Sequence, residues 1–83
     1  MKLPIIRHLQ KHHSKEMLQN TADVLESFTE HRSVKEAEMD VVGELLTNLY
    51  GAMEVHELME RENLTQIEAA NAFAQKVLGA IDR

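Results

Sequence analysis

The sequence predicts an all-α fold: a small bundle of about four helices, one short and N-terminal, one long and central, assembled as a homodimer. Three observations carry this. Apolar residues recur at three- and four-residue spacing through most of the chain, and no strand-like alternation, low-complexity tract or internal repeat occurs. Helix start and stop signals divide the chain into four pieces. The longest piece, Ser33–Arg61 (SVKEAEMDVVGELLTNLYGAMEVHELMER), has more apolar circumference than a lone bundle of this size covers.

The first helix opens at Leu3 and Pro4, where a proline's missing N–H costs nothing, and ends near His12 or His13. Ile5, Ile6 and Leu9 are its apolar strip. Ser14 is the N-cap of the second helix, residues 15–30, in which Met17, Leu18, Thr21, Val24, Leu25 and Phe28 share a face. Lys15, Gln19, Asp23 and Glu30 point away from it. Glu30, His31 and Arg32 form a tight connection. Ser33 and Glu36 match a capping box for the central helix, residues 34–61, and Glu36, Glu38 and Asp40 suit the positive end of its dipole. Asp40 is an alternative cap, which would split the helix. Asn63 suits a left-handed helix end, Thr65 and Glu68 repeat the capping-box pattern, and Leu64 with Ala69 suits a hydrophobic staple. Ile67, Ala70, Phe73, Ala74, Val77, Leu78 and Ile81 then line the last helix. The alanines Ala69, Ala70, Ala72 and Ala74 let that helix lie close to a neighbour.

At about 100° per residue, Val41, Leu45, Leu49, Ala52, His56 and Met59 fall on one side of the central helix. Val42, Leu46, Tyr50 and Met53 widen the stripe to roughly 200°, against the little more than about 100° that a surface helix needs. Gly43, Thr47 and Gly51, four apart, make a smooth ridge, and each interior glycine costs about 1 kcal/mol relative to alanine. That cost implies close helix packing, the alternative being a kink. The expected interface between two copies is therefore Val42, Gly43, Leu46, Thr47, Tyr50, Gly51 and Met53.

Residues 1–83 form a single all-α domain whose size leaves stability marginal without good packing or oligomerisation. The absence of cysteine removes disulfides, thiolate metal sites and thiol catalysis. No apolar run approaches the roughly 20 residues that span a bilayer, and MKLPIIRHL is too short and too soon charged for a signal peptide, so a cytoplasmic protein with no membrane partner is expected. The net charge of −5 argues against nucleic acid as a partner. Lys2, Arg7, Lys11 and Lys15 all precede the first acid, Glu16; docking of this basic block on acidic helix explains it without an anionic ligand.

Five histidines raise the question of a metal. His8 and His12 are four apart on one helix face, a spacing that holds zinc, but no third ligand accompanies them and solvated surface histidines are the plainer reading. His56 falls within the apolar arc with Glu60 one turn on, so it is expected to be a buried histidine bonded to Glu60 or to a backbone carbonyl across an interface. A proton-transfer or ligand role is the alternative. His56-Glu57-Leu58-Met59-Glu60 lacks the second histidine of a zinc-protease helix, and Glu54 stands two residues from His56 rather than the three of di-iron bundles. No catalytic constellation and no cofactor site is found, so a non-enzyme is expected.

The pieces KLPIIRHLQK, GELLTNLYGAMEVHELM and KVLGAIDR resemble a family of short, all-helical bacterial proteins carried as a domain of unknown function. The resemblance covers most of the chain, with residues 11–40 the loosest fit. It implies no activity, cofactor or catalytic residue. It hints at a redox- or stress-associated setting, through proximity to genes for peroxiredoxins and thioredoxins, although this chain has no thiol for redox work. The expected function is a homodimeric interaction or adaptor module built on the central helix, with a larger protein as a second class of partner. The alternative is a ligand- or metal-binding module using His56 and Glu60, or His8 and His12.

Overall fold

In the computed structural model the chain forms four helices: α1 (Leu3–His12), α2 (Lys15–Glu30), α3 (Glu36–Glu62) and α4 (Gln66–Ile81). The structure describes the backbone of residues 1–81 and the side chains of residues 1–78, so the expected place of Ile81 on the apolar side of α4 lies outside the described side chains.

Local chemistry sets most of the boundaries. The Ser14 hydroxyl accepts from the Met17 N–H at 3.0 Å, capping α2. At α4, Thr65 N–H donates to Glu68 Oε1 at 2.9 Å while Glu68 N–H donates to the Thr65 hydroxyl at 3.2 Å, a complete capping box. Asn63 closes α3 in the left-handed conformation, φ 54 and ψ 47, and Leu64 N–H returns to the Met59 carbonyl at 3.2 Å. Leu64 then packs on the core beside buried Ala69.

The start of α3 differs from expectation. Ser33 makes no capping box with Glu36; its hydroxyl and its N–H are both engaged by His31 Nδ1, at 2.7 and 3.2 Å. The imidazole folds residues 31–33 into a turn, and the helix begins two residues later, with Lys35 N–H donating to Glu38 Oε1 at 2.9 Å. Beyond that point α3 is one uninterrupted helix through Asp40, Gly43 and Gly51.

Each of the other helices packs on α3. α1 runs alongside it in the same direction, with Lys2 against Asn48 at one end and Gln10 against Met59 at the other. α2 starts beside Glu57 and returns, so that Phe28 ends near Val41 and Val42. α4 also returns, placing Phe73 against Gly51 and Lys76 against Glu54. One core results, formed by Ile6 of α1, Leu18 and Ala22 of α2, Leu49, Ala52, Val55 and Leu58 of α3, and Ala69 and Phe73 of α4. Fully burying Ile6, Leu18 and Val55 contributes about 1.5–3 kcal/mol each.

The buried side of α3 lies about a quarter turn from the side that hydropathy marks. Asn48, Gly51, Val55 and Leu58 are buried along with Leu49 and Ala52, whereas Val41, Leu45 and Tyr50 are exposed. The reason is the three-sided packing. α4 claims the flank that carries Gly51, and α1 begins only opposite Asn48, leaving the first turns of α3 covered by α2 alone.

The two central glycines have opposite roles. A Cβ on Gly51 would lie 2.7 Å from Ile6 Cδ1 and 3.3 Å from Phe73 Cζ, and Ile6 is fully buried, so it has little room to yield. A Cβ on Gly43 would meet nothing within 4 Å. Gly51→Leu should therefore destabilise the fold by about 1–3 kcal/mol through overpacking. Gly43→Ala should stabilise it by roughly 0.5–1 kcal/mol through helix propensity. Urea denaturation at low protein concentration reads both; a neutral Gly51→Leu would show that α1 and α4 do not close over that position.

Candidate functional site

Two buried polar side chains hold α1 on α3, and neither stands out in the sequence. The helix has no side-chain cap of its own and no acid in its first turn. Asn48 supplies the missing acceptor from α3: its Oδ1 takes the Lys2 N–H at 2.8 Å and its Nδ2 donates to the Glu44 carbonyl at 3.0 Å. Gln10 lies two turns along, and its Nε2 reaches Met59 Sδ at 3.2 Å, a weak acceptor. Its Oε1 is buried without a partner. An orphaned buried oxygen costs about 1–3 kcal/mol.

His56 makes the third link. Its Nε2 lies 2.8 Å from the His13 carbonyl, which directs the N–H to the free C-terminal end of α1. The carbonyl alternative is thus realised within one chain, and the expected contact between His56 and Glu60 is absent. Glu60 is exposed and lines an open, polar depression with Lys15, Glu57 and Arg61. There Lys15 Nζ meets Glu57 Oε1 at 2.9 Å, and that hydrogen bond and charge hold the Glu57 carboxyl below its ordinary value of 4.5. Glu68 is lowered too, by the Thr65 backbone N–H and then the Thr65 hydroxyl. The His8 and His12 rings lie with centroids 4.5 Å apart, tilted by 47° to each other, on the exposed side of α1. Among the described residues no group of three metal-binding side chains converges there or elsewhere.

The residues expected at an interface divide. Val42 and Gly51 are buried, and Leu46 and Met53 pack against the chain's own core. The closeness that Gly51 permits serves Ile6 and Phe73 rather than another molecule. Gly43, Thr47 and Tyr50 remain on the outer side, where the Thr47 hydroxyl donates back to the Gly43 carbonyl at 2.8 Å. The ridge is therefore no continuous contact surface: one end is inside the fold and the other is open.

An uncovered apolar surface lies instead along the α2–α3 hairpin. Val24 is 68% exposed, Val41 61%, Leu45 48% and Phe28 47%. Phe28, Ala37, Val41 and Val42 line one shallow depression; Met17, Leu18, Thr21 and Leu49 line a second with Leu9 and His13 of α1. On α2, Met17, Thr21, Val24 and Phe28 follow 4-3-4 spacing, which makes one continuous flank along the groove.

These features define a small all-α protein with a single core and an uncovered apolar groove. The chain belongs to a family of unknown function, DUF6952, whose profile matches residues 1–82. No curated protein and no solved structure matches it. No helix among the described residues is long and apolar enough to cross a membrane.

His56→Ala should lower stability by about 1 kcal/mol, the usual net value of such a bond, and weaken amide protection at the end of α1. Gln10→Met should be neutral or stabilising, because it removes the orphaned oxygen and keeps the volume. Both are read by urea denaturation with hydrogen exchange. Glu57 and Glu68 are depressed in the folded state, so their contribution is present above the unfolded value and lost as pH falls through the folded one. Stability should drop on acidification below the ordinary carboxylate range, and in Lys15→Met an NMR titration should find the Glu57 value moved back up towards 4.5.

Proposed function

We propose that this protein is a non-catalytic interaction module whose working form is a homodimer. The observation that carries the reading is surplus surface. A compact protein of 9.5 kDa exposes about 5,000 Å², whereas this chain exposes 5942 Å². Its radius of gyration is 13.8 Å, against about 12 Å expected for the length. The difference in area, roughly 900 Å², is close to the ~800 Å² per partner of a standard protein interface.

The kind of surface agrees with the amount. Valines at 61 and 68% exposure and a phenylalanine at 47% sit together along two helices, where scattered single residues would need no explanation. A small domain built around one long helix gains stability from covering such a surface. The histidines supply no comparable support for a ligand-binding role: His56 is spent on the His13 carbonyl, and His8 and His12 contact each other.

Sedimentation equilibrium over a range of micromolar concentrations tests the reading. The expected result is a species of twice 9.5 kDa that dissociates on dilution. A species of 9.5 kDa at every concentration would remove it.

A further inference from the structure

Resting on that reading of self-association, we infer that the second copy seats in the α2–α3 groove, with the two hairpins antiparallel about a two-fold axis. The groove is the part of α3 that the chain's own helices leave bare. α1 fills the track beside α3 from Asn48 to Met59. Over the preceding turns that track holds an open depression with Ala37, Val41 and Val42 on its α3 side and Phe28 on its α2 side, and exposed Leu45 and Val24 follow one turn further along each helix. An element laid there continues the line of α1 and completes the packing that α1 provides further along. A two-fold contact is self-complementary, and a hairpin with an apolar flank on each helix offers the same surface twice. Two such hairpins form a four-helix arrangement around Val24, Phe28, Val41 and Leu45.

Charge selects the orientation. Between Asp23 and Glu44 the sequence carries seven acids against Arg32 and Lys35. The segment from Lys2 to Lys15 carries four lysines and arginines and no acid; Lys15 is taken by Glu57 of its own chain, which leaves Lys2, Arg7 and Lys11. Hairpins laid side by side with their tips together would bring the two acidic segments into register. Reversing one of them puts each acidic tip beside the partner's α1, where the unlike charges attract. The same asymmetry argues for a second copy over an unrelated protein, because this chain carries both halves of the complementary pair.

The test uses the full chain and four single variants, with mass by sedimentation and folding by far-ultraviolet circular dichroism. Val41→Asp and Val24→Asp place a carboxylate on each side of the groove at positions already mostly exposed, so the helical spectrum should stay unchanged. Each should weaken the dimer by about a hundredfold or more, since an unpaired charge enters the contact twice. Tyr50→Asp and Ile67→Asp, on exposed positions outside the groove, should leave the dissociation constant within about threefold of wild type. Raising sodium chloride should weaken the wild-type dimer, because the end-to-end attraction is screened. A wild-type dimer that survives Val41→Asp and Val24→Asp overturns the groove while leaving self-association standing. A dimer that tightens with salt overturns the antiparallel arrangement. A wild-type monomer removes the inference together with the reading beneath it.

Discussion

The fold depends on the close approach of α1 and α4 to α3 at Gly51. Ile6 and Phe73 come from opposite ends of the chain and meet over a position with no side chain. With those two seated, Ala52 and Val55 become inaccessible and the core closes. An 83-residue chain has no spare core with which to absorb a gap there. The helix-propensity cost of one glycine is small beside the burial it permits.

Most of the secondary structure was legible in the sequence because its signals are local. Ser14, Asn63, and Thr65 with Glu68 each act within three or four residues of themselves, and each does in the structure what its chemistry implies. Ser33 misled for an equally local reason: His31 offered its hydroxyl a nearer partner than the helix did. Which side of α3 is buried was much less legible. Hydropathy weights Val41, Leu45 and Tyr50, yet burial is decided by where three other helices lie, and those helices select small or polar residues such as Gly51 and Asn48. Gln10 has no place in the apolar strip of the first helix and yet lies inside. Nothing near it in sequence reports on Met59.

Seen from its surface, the molecule has two unlike ends. Along the second half of α3, α1 and α4 cover Gly51, Ala52, Val55 and Leu58, and α4 buries its own Ala69, Ala70 and Phe73. Along α2 and the first half of α3 the coverage stops, because α1 is only ten residues long and starts opposite Asn48. Extending α1 backwards by two turns would cover the groove from within. The sequence instead has a valine-rich hairpin there, bordered by acids that keep it hydrated. A helix that stops short leaves a surface that is apolar along its floor and charged at its rim, which is the usual anatomy of a protein contact.

The cap that Asn48 gives to α1 also orders events during synthesis. Donor and acceptor are 46 positions apart, so the first helix emerges from a ribosome long before its cap exists. Ten residues with no local cap are too few to hold a helix in water alone. The N-terminal segment therefore has no stable helix to form until the part of α3 that carries Asn48 has been made. The beginning of the chain is thus fastened from its middle.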